Sequence, residues 1–230
     1  YYLYYLYYLY YLYYLYYLYY LMPEGPEVWI LSEAINNFYY CEKTRAYGKH
    51  LFVFRNENEG ENFSFGLTGK VCILDNNKLI KKHTGWICGD QVSFYNYYEE
   101  IKKLGINWLT GSEAELHKEV DMWIKSKKKL ASLMLDQSKI SGIGVVWGSE
   151  ILFKTGLNPD MRCCDQNLHK LVESMIEIRE KIKKKYSEQI NEDNCKEFVN
   201  KWFDNLYEVR EMDIYKKGSK LKVLGRIWWV

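Results

Sequence analysis

The stretch Leu133–Pro159, LMLDQSKISGIGVVWGSEILFKTGLNP, joins two helical patterns across a pair of glycines. Apolar periodicity predicts one helix over about 128–137 and a second over about 145–154. Gly142 and Gly144 stand directly ahead of the second helix. Two glycines at that position let backbone N–H groups point at an anion, and the positive end of the helix dipole favours it. Gly156 and Pro159 form the exit.

On either side of this stretch the helical period continues, over about 113–126, 166–187 and 193–208. Lys125 to Lys129 places four lysines in five residues, which reads as a solvated face. Residues 43–100 follow a different pattern. Short apolar runs, Leu51 to Phe54, Phe63 to Leu67, Val71 to Leu74 and Gln91 to Tyr95, alternate with turn-forming clusters such as Asn56 to Asn62 and Asp75 to Asn77. Such spacing predicts antiparallel sheet. From Ile214 to Val230 there are five cations (Lys216, Lys217, Lys220, Lys222 and Arg226) and no acid, in a pattern that suits two short strands.

The other end of the chain carries the chemistry. Residues 1–21 are seven copies of Tyr-Tyr-Leu, followed by Met22-Pro23-Glu24-Gly25-Pro26-Glu27. A tripeptide period matches neither helix nor strand, and the repeat lacks a basic n-region and a cleavage site. It reads as low-complexity sequence, a translated nine-base repeat upstream of a start at Met22. Once Met22 is removed, Pro23 presents a secondary amine able to attack an aldehyde-level carbon and form an iminium ion. Inside a longer chain that nitrogen is a tertiary amide, so this chemistry requires residues 1–21 to be absent from the active protein. Gly25-Pro26-Glu27 opens a helix in which Val28, Leu31, Ala34, Ile35 and Phe38 recur at helical spacing. Pro23 and Glu24 lie at its positive end, which favours a neutral amine beside an ionised carboxylate. Such a carboxylate can shuttle protons to and from a sugar ring oxygen.

The 209 residues after the repeat are enough for one or two domains with a substantial core. A formal net charge of +2 does not by itself announce a nucleic-acid binder. Six cysteines, at 41, 72, 88, 163, 164 and 195, include no Cys-x-x-Cys, so they give neither a metal-ligand spacing nor a disulfide framework. Reduced thiols in an intracellular compartment are expected.

Together, Met22–Glu27, Tyr47-Gly48-Lys49-His50-Leu51, Phe65-Gly66-Leu67-Thr68-Gly69 and Leu133–Pro159 make residues 22–230 resemble the formamidopyrimidine-DNA glycosylase / endonuclease VIII family, on its endonuclease VIII-like branch. The resemblance implies an α+β fold. An N-terminal two-layer β-sandwich flanked by helices spans 22–110, a helix–two-turn–helix DNA-binding domain 111–208, and a zincless β-hairpin finger 209–230. It implies a base-excising enzyme that also cuts the DNA strand, with Pro23 as nucleophile and Glu24 as general acid/base. Glu27 is a further carboxylate, and Lys49 a cation at the phosphate beside the lesion. Leu67 fills the space left by the flipped nucleotide, and Gly142, Gly144, Lys139 and Arg226 meet the DNA.

No metal or organic cofactor is expected, nor a membrane. The expected partner is damaged DNA, double- or single-stranded, bound by a monomer wherever the genome is housed. The chain also departs from the family. Val145 stands where the family carries a phosphate-binding asparagine, no Arg-Phe-Gly loop is recognisable between Tyr95 and Leu104, and the finger is short and holds no cysteines. These departures keep open an enzyme that cuts only at abasic sites, or a non-catalytic binder of damaged DNA.

Overall fold

A computed structural model describes residues 24–38, 43–54, 59–64, 70–73, 79–83, 86–87, 94–96, 101–199 and 218–230. Pro23 and Leu67 lie outside the described residues, as do the Tyr-Tyr-Leu repeat and the Tyr95 to Leu104 loop between 97 and 100. The fold mixes helices with small sheets.

Helix α1 (Gly25–Phe38) buries Val28, Leu31, Ala34 and Ile35 on one face, at the spacing read from the sequence. That face packs on β1 (Lys43–Tyr47). A polar anchor fixes the two elements. The Asn36 side-chain amide donates to the Thr44 carbonyl at 2.7 Å, and the Thr44 N–H donates to Asn36 Oδ1 at 2.7 Å. Asn36 thereby satisfies backbone groups on the outer edge of β1 that would otherwise be unpaired.

β1 pairs antiparallel with β2 (His50–Phe54), and β2 with β3 (Glu59–Ser64), which pairs with β7 (Phe94–Asn96). A three-stranded sheet joins β4 (Lys70–Ile73), β5 (Leu79–His83) and β6 (Trp86–Ile87). Sheet therefore replaces turn over Glu59–Asn62. The ladder with β2, from His50↔Ser64 to Phe54↔Gly60, satisfies the backbone there and overrides a turn-like composition.

A short parallel pair, β8 (Ile106–Asn107) with β9 (Ile140–Ser141), ties the segment after 101 to the glycine turn. Helices α2 (Glu113–Ile124), α3 (Leu130–Met134), α4 (Val145–Thr155) and α5 (His169–Gln189) follow in chain order. α3 is five residues long, half the span expected over 128–137. At its start Lys129 is extended and bridges Arg162, and at its end Asp136 accepts from both the N–H and the hydroxyl of Ser138. These local bonds compete with helix at both ends. α5 begins at His169 rather than 166, where Asn167 Oδ1 accepts the His169 N–H.

The C-terminal residues form a hairpin of β10 (Lys220–Val223) and β11 (Arg226–Trp229) that packs on α4. Among the described residues, Trp108, Trp123 and Trp228 are the largest fully buried side chains. The hairpin is thus held by apolar packing, each buried large side chain contributing about 1.5–3 kcal/mol. Among the described residues no helix is long and apolar enough to cross a membrane, and no group of three or more His, Cys, Asp or Glu could hold a metal ion.

Candidate active site

Gly48 and Lys49 make the two-residue turn between β1 and β2, opposite the pair Tyr47↔His50. Gly48 has φ +59°, a conformation glycine adopts without a Cβ clash. A Cβ there would stand 3.1 Å from the Ser141 Cβ, so the hairpin tip lies against the glycine turn.

The head of α1 reaches the same turn. The Gly25 N–H donates to the Gly142 carbonyl at 2.8 Å, and a Cβ on Gly25 would meet Gly142 Cα at 2.8 Å. Only backbone fits between them. Gln137 braces the turn from within, since its side chain accepts the Gly142 N–H at 2.8 Å and donates to the Ile143 carbonyl at 2.9 Å.

Glu24, 4 % exposed, meets the start of α4. Its Oε2 accepts the N–H groups of Gly144 (2.9 Å) and Trp147 (3.1 Å), and its Oε1 accepts that of Val146 (3.0 Å). α4 has no side-chain cap from its own N-cap residue, Gly144. A carboxylate from 120 residues away supplies it, where helical N–H groups lack partners and the dipole is positive. The amides of Gly144 and of the first turn of α4 serve Glu24, which the Gly25–Gly142 contact brings to that helix end.

Lys49 closes the arrangement. A Cβ built on Gly144 would lie 2.1 Å from Glu24 Oε1 and 2.7 Å from Lys49 Nζ, so carboxylate and ammonium share the space that a side chain at 144 would fill.

Glu27, 1 % exposed, holds the other side of Glu24. Its Oε2 accepts the Glu24 N–H at 2.9 Å, and its Oε1 accepts the indole N–H of Trp147 at 3.0 Å. Burial of a carboxylate is tolerated when it is hydrogen-bonded in this way. The backbone N–H that Glu27 fixes belongs to the peptide bond directly after Pro23.

The site brings together five of the residues picked from the sequence: Glu24, Glu27, Lys49, Gly142 and Gly144. Lys139 turns elsewhere, its ammonium pairing with Glu119 of α2 at 3.9 Å. Arg226 begins β11, and that strand docks one helical turn along α4 from Gly144. There the Trp229 N–H donates to Ser149 Oγ at 3.0 Å, and a Cβ on Gly148 would stand 2.9 Å from the Trp228 ring. Val145 is partly buried and packs against the core.

Trp147 and Gln137 were missed as site residues. Gln137 was visible as the last residue of Leu135-Asp136-Gln137, but Trp147 read as one more apolar position of a helix.

No family model matches the chain. The chain is 30% identical over 120 residues to the formamidopyrimidine-DNA glycosylase of Carboxydothermus hydrogenoformans, a match covering 49% of this chain and 46% of that protein. It therefore spans about half the length of the curated relative it matches. Among solved structures it is similar to Lactococcus lactis Fpg (MutM) in complex with DNA containing an oxidised pyrimidine, with a TM-score of 0.63 and 17% identity over 90% of this chain and 97% of that one. A complex of Lactococcus lactis Fpg with DNA containing an abasic site gives a TM-score of 0.64 at 17% identity and the same coverage. At that identity the structures show a shared fold. The sequence match and the fold agree, in that the relative and the solved structures are both formamidopyrimidine-DNA glycosylases.

Proposed function

From that likeness, we propose that the protein is a base-excision-repair DNA glycosylase with AP lyase activity, acting as a monomer on oxidised bases in DNA inside the cell. It works in three parts: the sandwich of 22–110, the helix–two-turn–helix unit of 111–208 and the zincless finger of 209–230. The observation that carries the reading is the junction of Glu24, Lys49 and Gly144. It seats the residue after Pro23 at a helix N-terminus beside a cation.

The Pro23 amine, free once residues 1–22 are gone, attacks C1′ of the flipped deoxyribose. The new N–C1′ bond forms as the glycosidic C–N bond breaks; the base leaves with that electron pair and takes a proton from solvent, while Glu24 takes the proton that the amine gives up. Glu24 delivers a proton to the ring oxygen as the sugar opens, which leaves an iminium ion. Loss of a C2′ proton then expels the 3′ phosphate, and a second elimination expels the 5′ phosphate. Lys49 holds the phosphate beside the lesion, and Arg226 reaches the flanking one from the finger. Leu67 fills the vacated space, while Lys139 adds to the basic field. Glu27 holds the Glu24 backbone, and through it the peptide bond to Pro23.

A second reading, cleavage at abasic sites only or binding without catalysis, is favoured by Val145, which offers no side-chain amide to a phosphate. Incubation of protein starting at Pro23 with abasic and thymine-glycol duplexes under borohydride separates the three. Covalent trapping on both supports the bifunctional enzyme. Trapping on abasic DNA alone leaves a lyase, and no trapping on either leaves a binder.

A further inference from the structure

Leu224 occupies a costly position that gives the fold little in return. It is the first residue of the two-residue turn between β10 and β11, opposite the pair Val223↔Arg226, with φ +52°, followed by Gly225 at +73°. Among the described residues it is the one non-glycine with positive φ. Turns with positive φ at both central positions favour Asn-Gly or Asp-Gly, because a bulky side chain clashes with its own carbonyl there. The leucine side chain is 54% exposed, so burial does not offset the strain. A Cβ on Gly225 would meet none of the described residues within 4 Å, so among them the tip stands open.

The hairpin behind the tip is basic and docked on α4. Trp228 and Trp229 fix it to α4, one helical turn from Gly144. It carries Lys220, Lys222 and Arg226, and no acid occurs from Ile214 to Val230. Strained residues that the surrounding structure holds in place cluster at binding sites. An apolar tip on a cationic hairpin matches the chemistry of a nucleic-acid groove, where cations take the phosphates and an apolar side chain presses between loosened base steps.

We propose that Leu224 is a wedge that packs against bases next to the extruded nucleotide in damaged duplex DNA. The contact offsets part of the cost of unstacking, which is a few kcal/mol. This rests on the DNA-repair reading above and adds a second apolar insert to Leu67, from the opposite end of the chain.

The test exploits opposite signs. Leu224→Gly relieves the turn and removes the wedge, and Leu224→Asn keeps a residue tolerant of this φ. Both variants should melt at or above the wild-type temperature. Affinity for a duplex with a central abasic site should fall about tenfold in both, while the salt slope, which counts phosphate contacts, stays unchanged. Fluorescence of 2-aminopurine beside the abasic site should rise on binding of wild type and rise less with either variant. Wild-type affinity and fluorescence in both variants overturn the wedge alone. A wild-type protein that binds abasic and intact duplexes equally weakly overturns the repair reading, and the wedge with it.

Discussion

Glu24 and Gly144 lie 120 residues apart in sequence and meet through a 2.9 Å hydrogen bond from the Gly144 N–H to Glu24 Oε2. That bond and its two neighbours make the head of one helix the cap of another. The residue next to the proposed nucleophile is thereby locked to the turn that faces Lys49.

Glu24→Gln tests the carboxylate. A side-chain NH2 cannot accept the backbone N–H groups that one oxygen now receives, so at least one buried donor loses its acceptor, at a cost of about 1–3 kcal/mol. Strand cleavage at abasic DNA should fall by about 10²–10⁴, the usual contribution of a positioned proton-transfer group. Thermal melting together with a single-turnover cleavage rate reads both effects.

Trp147→Phe removes the indole donor from Glu27 while keeping an aromatic ring. The loss should be about 1–3 kcal/mol of stability, visible as a lower melting temperature. Cleavage should slow with little change in affinity for abasic DNA, because Trp147 Nε1 bonds Glu27. A variant that cleaves at the wild-type rate removes Glu27 and Trp147 from the proposed mechanism.

Two glycine substitutions separate site from scaffold. Gly144→Ala drives a methyl into Glu24 Oε1 and Lys49 Nζ and should abolish most cleavage. Gly156→Ala, at φ +69° with open space around it, should cost about 1 kcal/mol of stability and leave cleavage intact. Equal effects on cleavage from the two would contradict the packing described here.

The Asp136 carboxyl lies below its ordinary range, chiefly because the Ser138 hydroxyl donates to it, with further help from the Ser138 N–H and nearby lysines. A carboxyl depressed in the folded state contributes stability above its unfolded pKa and loses it as pH falls through the folded one. Ser138→Ala should therefore lower the melting temperature at neutral pH. The gap from wild type should then close on acidification below about pH 4. Melting curves across the acid range measure it, and a gap that widens in acid would reverse the sign.

Arg226→Ala should weaken binding across DNA sequences and reduce the salt slope by about 1, the signature of one lost phosphate contact. An unchanged slope takes Arg226 out of the interface.

Much of the fold is local enough to read from the chain. The glycine turn ahead of α4, the apolar stripe of α1 and the basic C-terminal hairpin each announce themselves through spacing alone. β1 does not: Lys-Thr-Arg-Ala-Tyr has no apolar run, and it becomes a strand because β2 takes one edge and Asn36 the other. Glu59–Asn62 is sheet for a similar reason. Within the site, Glu24, Glu27 and Lys49 stood out by residue type and motif, but what Glu24 does with its oxygens depends on a partner 120 residues away. Trp147 carried no signal, since its indole N–H matters only once Glu27 faces it.

The most direct measurement is peptide mapping by mass spectrometry after borohydride reduction of the protein with an abasic duplex, for chains beginning at Tyr1 and at Pro23. A deoxyribose remnant is expected on the Pro23 nitrogen of the shorter chain, and no adduct on the chain that keeps its first 22 residues. An adduct on a lysine, or equal trapping by both chains, would contradict the proposed role of Pro23.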